Sequence, residues 1–367
     1  MNKIGSISVL HVIFLSMTVI GLKNHVTIIP PLLQDAGRDG WMTVILATIV
    51  IFPWIFLLMY IHKKSKQESI MEWLLVTVGK RTTTFIRYVT AIFLLILAAF
   101  TLAETLQWIT GTFLPETPLL LMLIIYTILC ILLASTNLQT IVIVNALVLF
   151  WVVVLGFFVA ITNIQVKDYE LLLPFLEHGV SPILFALVYP ASGFIELLLL
   201  LFLQHKVKTP FKWYHFAIML FILMGLTLGP LIGAITEFGP DEAAKQRYPA
   251  YEEWGLVSIG RFIEHIDFLS IYQWLTGAFV RVGFILYVAI DMLKMTGDRP
   301  RIWKVIAPPF FFMCAFLFLM NEHTFLKVKG DYLLLATFSF LFLLSLILAV
   351  IATISSKSLK NRQTKLK

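Results

Sequence analysis

The stretch Tyr189-Pro190-Ala191-Ser192-Gly193-Phe194-Ile195-Glu196 lies inside an apolar run over residues 180–203. A run of that length reads as a membrane-spanning helix, yet this one carries a proline, a glycine and a carboxylate near mid-depth. Lipid offers no water to the backbone groups that a helix break frees, so a break is tolerated only where it is buried in protein or faces a cavity. The stretch is therefore a candidate ligand site. A second interruption, Gly21-Leu22-Lys23-Asn24, cuts an apolar run over residues 8–33. Interrupted spans at matching positions of two halves point to a transporter-type site.

The composition supports the same reading. Of 367 residues, 59% are hydrophobic, 13% are charged and 31 are phenylalanine, and the mean hydropathy is +0.91. That balance excludes a soluble globular domain. The expected fold is an all-α integral membrane protein, one polytopic domain over 1–367. Spans are expected at 8–33, 41–61, 83–111, 118–135, 139–161, 180–203, 213–236, 269–293, 304–321 and 331–355. Residues 1–161 and 180–355 then hold five spans each, ahead of a basic tail over 356–367. The first segment lacks a small-x-small cleavage site and is too long for a secretory signal, so it counts as a span.

Of the 28 Lys and Arg, nineteen fall on the face of the termini and seven, among them Lys327 and Lys329, on the other. The excess predicts cytoplasmic termini, and the net charge of +7 reflects topology, with no nucleic-acid partner implied. Residues 68–79 read as an interfacial helix on the bilayer. The loop over 237–267 is too long for a turn and should hold a short helix over 259–265. It would close over a cavity or dock a partner.

Cys130 and Cys314 fall in apolar runs and read as buried apolar residues. The histidines show no metal-ligand spacing, and no phosphate loop, dinucleotide fingerprint or nucleophile elbow occurs. No cofactor, metal or enzymatic activity is expected. Four ionisable residues fall well inside spans: Lys23, Glu104, Glu196 and Arg281. Such charges are costly unless paired or hydrated, and they mark either function or register-fixing ion pairs. Their depths along the spans favour a Lys23–Glu104 pair, with Glu196–Arg281 a weaker second. At Gly21 and Gly193 the missing Cβ lets the backbone approach a ligand, and Leu22, Ser192 and Phe194 flank them. Leu97, Phe100 and Thr101, with Phe284 and Tyr287, are the expected apolar wall of the pocket.

The break at Tyr189–Glu196 resembles the sixth helix of amino acid/polyamine/organocation transporters, with Ile195 interposed in their usual Gly-Phe-Glu. Glu237-Phe238-Gly239-Pro240, Arg247-Tyr248-Pro249, Arg261-Phe262-Ile263-Glu264-His265-Ile266-Asp267 and Gly277-Ala278-Phe279-Val280-Arg281 look like the outer loop and eighth helix of the permease-like B subunits of endospore germinant receptors. The segment ending Val78-Gly79-Lys80 also fits. The resemblance implies a LeuT-like 5+5 inverted repeat with broken helices 1 and 6, in the inner membrane of the spore. It implies a complex with A and C subunits, in which this subunit binds a small nutrient, commonly an amino acid, and helps trigger germination. Relatives of the fold often hold sodium, or a lysine in its stead, between the first, fifth and eighth helices. The fifth span has Asn145 and no lysine, so ion coupling is not expected. Two alternatives stay open: a secondary amino acid transporter of the same fold, and an ion conduit within the receptor complex.

Overall fold

Long apolar runs fold here into long helices, because a chain in lipid satisfies its backbone groups most simply within one helix. The computed structural model describes residues 7–258, 260 and 266–364. The first crossing consists of α1 (Val9–Leu22), a π-helical turn over Lys23–Thr27, and α2 (Ile29–Ala36). Ser8 caps α1 by accepting from the His11 N–H. A turn over Gly37–Asp39 leads to α3 (Gly40–Ile51) and α4 (Trp54–Lys64). Next comes α5 (Ile70–Thr112), broken at Gly79, whose φ of +82° a side chain would disfavour. Then follow α6 (Leu119–Ala134) and α7 (Leu138–Thr162).

The second half opens with three short helices in line, α8 (Ser181–Ala186), α9 (Val188–Phe194) and α10 (Leu197–Leu201), followed by α11 (Trp213–Phe238). Two loop helices come next, α12 (Pro240–Ala243) and α13 (Pro249–Gly255). The last crossings are α14 (Leu269–Met292), α15 (Arg299–Val305) continued by α16 (Ala307–Phe318), and α17 (Glu322–Lys327) continued through a π turn by α18 (Leu334–Thr364). Among the described residues, nine stretches are long and apolar enough to cross a membrane, and α6 is a shorter apolar helix.

Contacts at the span ends show the two faces. On the face of the termini, Ile7 bridges to Val207, and Gln204 bonds the Ser65 hydroxyl and the Glu68 carbonyl. On the far face, Arg38 pairs with Glu177, and Phe113 stacks edge-on against Tyr251 of α13. The hub is α14, which packs against α1, α5, α6 and α7 and is buried almost without interruption from Gly277 to Ile290.

One expectation needs correction and another is left untested. The segment before Gly79 is helical from Ile70, but Ile70, Met71, Trp73 and Leu74 are buried in the protein. Its apolar face is already covered, leaving Val76 as the exposed apolar position. In the far-face loop, helix forms at Pro240–Ala243 and Pro249–Gly255, each started by a proline at its first turn. The helix expected over 259–265 lies outside the described residues. Cys130 and Cys314 are free and buried.

At Gly283 α14 approaches α6 closely. A Cβ placed there would lie 2.6 Å from Leu133 Cδ2 and 3.3 Å from Leu133 Cβ, on α6. Gly283→Ala should therefore destabilise the protein by about 1–3 kcal/mol through overpacking. Thermal unfolding in detergent should show most of the loss recovered in Gly283→Ala/Leu133→Ala. An unchanged Tm in the single variant contradicts this packing.

Candidate functional site

The interruption in the second half brings Glu196 into the protein interior without unwinding the helix. Ile195 and Glu196 keep right-handed helical dihedrals. The turn tightens instead, with the Glu196, Leu198 and Leu199 N–H groups bonding carbonyls three residues back, at Gly193, Ile195 and Glu196. The first-half interruption is also helical at Gly21, and its irregular segment is the π turn over Lys23–Thr27. Such a turn keeps its backbone bonded while shifting the side chains that follow, and it recurs at functional sites. The two segments touch where Asn24 packs against Gly193; a Cβ at Gly193 would overlap the Asn24 amide. Asn24 Nδ2 donates to Thr227 Oγ1 at 3.1 Å. His25 Nδ1 reaches the Leu226 carbonyl at 3.2 Å, which Pro230, lacking an N–H four residues on, leaves without its helical partner.

Glu196, fully buried, binds two cations. Arg281 grips it with both Nη atoms, at 2.7 Å and 3.0 Å, the bidentate geometry that a guanidinium favours. Lys23 Nζ donates to Glu196 Oε1 at 3.0 Å and to the Ser192 carbonyl at 2.8 Å. Arg281 also bonds the Val19 carbonyl and, through Nε, Thr101 Oγ1 at 3.2 Å. The expected Lys23–Glu104 pair does not form. Glu104 instead accepts from Lys329 Nζ at 2.6 Å and from Thr27 Oγ1 at 3.0 Å. Depth alone fixed the height of each charge and not the direction in which it faces.

Lys329 is the residue that sequence reasoning misplaced. It counted as a far-face loop charge, yet it is 3% exposed within the π turn before α18. Its neighbours Lys327 and Asp331 give the segment a loop-like composition, so no local signal marked it as buried.

Two cavities flank the first crossing. The smaller, about 20 Å³, is lined by Lys23, Thr27, Leu97, Phe100, Thr101, Glu104, Arg281 and Lys329, with Leu333 and Leu334. The larger, about 130 Å³, lies on the other side of that crossing and takes in Gly21, Leu22, His25, Trp254, Gln273 and Gly277. The expected ligand residues are thus divided. Gly21 and Leu22 belong to the larger cavity, whereas Leu97, Phe100 and Thr101 line the smaller. Ser192 offers its carbonyl to Lys23, while its hydroxyl donates back to Tyr189 at 2.7 Å. Phe194 and Phe284 are 0% exposed and line neither cavity. Tyr287 is displaced toward the terminal face, where its hydroxyl accepts from Lys206 Nζ at 2.8 Å.

Side-chain contacts bridge the helices toward both ends. Toward the far face, Trp108 stacks on Trp274 at 4.1 Å, Tyr248 meets Trp274 edge-on at 4.5 Å, and Tyr251 covers Trp108. Lys329 Nζ sits 5.3 Å from the centre of the Tyr248 ring, within cation–π range. Arg247 ties this lid to Glu322. Beside it Glu253 of α13 is buried against Gly233, near Glu237, which Lys167 approaches at 3.4 Å. Burial, with Glu237 close by, pushes the Glu253 carboxyl well above the usual carboxylate range. On the terminal face Lys206 pairs with Asp291 at 2.6 Å, and Gln204 also bonds His62 at 2.6 Å. Among the described residues no cluster of His, Cys, Asp and Glu is arranged to hold a metal.

A family model described as "Spore germination protein" matches residues 4–325. The chain is 43% identical over 281 residues to spore germination protein XB of Bacillus anthracis, covering 77% of this chain and 79% of that protein. It is 25% identical over 308 residues to the putative spore germination protein YfkT of Bacillus subtilis (strain 168), covering 83% and 84%. Spore germination protein A2 of the same strain is 26% identical over 267 residues, covering 70% and 71%.

Exchanging charges tests the pairing. Glu104→Lys alone should lose about 3–5 kcal/mol or fail to accumulate, because two buried cations then face each other. Glu104→Lys/Lys329→Glu should recover folded protein, read as the monodisperse yield in detergent, and Glu104→Lys/Lys23→Glu should not. The reverse ranking would contradict the observed pairs.

The lid gives a pH dependence. The folded-state pKa of Glu253 is raised, so its contribution to stability is complete below about 4.5 and is lost as pH rises through the folded value. Glu253→Gln should raise Tm at neutral and mildly alkaline pH and flatten its dependence on pH. Equal pH profiles for the two proteins would show that Glu253 does not titrate in this way.

Proposed function

Because the chain belongs to the spore germination protein family, an integral membrane protein with a role in germination, we propose that it is the nutrient-sensing subunit of a germinant receptor. It binds a small nutrient, an amino acid, between the first, third, sixth, eighth and tenth spans, and partner subunits of the A and C types read the resulting change of shape. It resides in the inner membrane of the spore with both termini cytoplasmic, and it works by binding, not catalysis. In this reading the five spans from α1 to α7 and the five from α8 to α18 are inverted repeats of the LeuT type. The first span of each half has irregular backbone, as do other spans, and these two irregular segments meet at Asn24 and Gly193.

The observation that carries the reading is a cluster of five buried charges, four of which, Lys23, Glu104, Arg281 and Lys329, line a small cavity while Glu196 backs them, with side-chain contacts bridging the helices toward both faces. Charges buried at such cost mark ligand or ion pathways, and the contacts toward each end give two routes by which a bound molecule can change the protein. The nutrient then shifts the balance between conformations by the difference in its affinity for them. The contacts toward both ends also favour a second reading, a secondary amino acid transporter in which the two sets open in turn. Uptake of labelled amino acid by vesicles containing this chain alone supports that second reading.

Substitution at the contact between the two irregular segments provides the test. Gly193→Ala should force Asn24 away and move the curve of germination against amino acid concentration to higher concentration by at least tenfold, at normal protein level. Gly193→Ala/Asn24→Ala, which removes the obstructing amide, should move it back. A dose curve that Gly193→Ala leaves unchanged rules out ligand binding at this junction.

A further inference from the structure

The charges buried around the small cavity do not balance. Lys23, Arg281 and Lys329 are 3%, 1% and 3% exposed, against Glu104 and Glu196 at 5% and 0%. Arg281–Glu196 and Lys329–Glu104 are one-to-one contacts. Lys23 comes third, on a carboxylate oxygen that already accepts from Arg281 Nη2. The other buried carboxylates among the described residues are engaged elsewhere. Asp39 accepts from the Leu176 N–H, Glu237 pairs with Lys167, and Glu253 packs against Gly233. One positive charge is left over, and in an interior of low dielectric that is strongly unfavourable.

The donor count identifies where a counter-charge fits. An ammonium carries three N–H groups. Lys23 directs one to Ser192 and one to Glu196, while Lys329 directs one to Glu104. Both side chains line the cavity of about 20 Å³. That volume is roughly the room for one water-sized group, too small for a whole amino acid. We propose that this cavity takes one monoanionic group, a carboxylate or a halide, bound by the free N–H groups of Lys23 and Lys329. The group is either the carboxylate end of the nutrient or a resident inorganic ion beside it. The first source rests on the nutrient-binding reading above; the second does not.

The test uses the full chain purified in detergent, with Tm measured against sodium acetate and sodium chloride at ionic strength held constant with sodium gluconate, whose anion is too bulky for the cavity. Acetate, chloride or both should raise Tm along a saturating curve. Lys23→Met leaves two cations with two carboxylates, so it should keep its Tm in gluconate and lose the anion response. Glu104→Gln adds to the excess and should lower the half-saturating concentration at least tenfold. A merely structural role for Lys23 predicts the reverse, a lower Tm with the response retained. The proposal is overturned if neither anion gives a saturable shift, or if Lys23→Met retains one.

Germination dose curves separate the two sources. An amino acid that loses potency as its carboxamide supplies the anionic group itself, whereas equal potency together with a chloride shift identifies a resident halide. The two readings also fail separately. If removal of the chain leaves every nutrient response intact, the sensor reading falls whatever the anion data show. A working sensor with no anion shift overturns only the charge inference.

Discussion

Glu196 is the carboxylate on which the interior of the bundle depends. It receives a bidentate contact from Arg281 on α14 and a second cation from Lys23 on the first crossing. Removing Arg281 or Glu196 from their buried pair costs about 3–5 kcal/mol, a large part of the roughly 5–15 kcal/mol that holds a typical domain together. The rotation of three helices is therefore set by one side chain. Arg281 adds bonds to Val19 and Thr101, which tie α1 and α5 to the same point. Apolar contact alone does not select one rotation of a helix in lipid, because lipid and leucine are nearly equivalent surroundings.

The irregular backbone follows from this constraint. Asn24 lies directly against Gly193 and Lys23 bonds the carbonyl of Ser192, so the first crossing approaches α9 within the bulk of one amide. Only a residue without a Cβ leaves that space. The π turn lets Lys23 face Glu196 while Thr27, four residues on, faces Glu104. Across the same crossing, His25 occupies the carbonyl that Pro230 frees. The bends in the helices thus coincide with places where polar groups are exchanged between helices, as required where no water is present.

The helices themselves were legible in the sequence, because a run of about 20 apolar residues has few other uses. So were the sites of cost, since Lys23, Glu104, Glu196 and Arg281 are all buried. Their partners were not. Distance along a helix gives depth in the membrane, whereas pairing also depends on azimuth, and a π turn shifts the azimuth without leaving a mark in composition. Phe284 and Tyr287 illustrate the same gap. Both are on the buried hub helix at plausible depth, yet one packs wholly into the core and the other faces Lys206. Lys329 was hidden for a different reason: the charges around it imitate a loop, while its own side chain is drawn inward by Glu104.

The contacts toward the two ends differ in chemistry, and the charge cluster joins them. Aromatic rings make the far-face lid, and hydrogen bonds around Gln204 with the Lys206–Asp291 pair make the terminal one. The ammonium of Lys329 that bonds Glu104 also lies beneath the Tyr248 ring. A change in charge or position at Glu104 therefore acts on the lid through one side chain, with no intervening pathway. At the other end, α14 carries both Arg281 in the cluster and Tyr287 and Asp291 in the terminal network. A rigid helix that moves at Arg281 moves the groups that hold Lys206. The lid is thereby tied to Glu104 and the terminal network, through α14, to Glu196, and Lys23 and Arg281 join both carboxylates in one cluster.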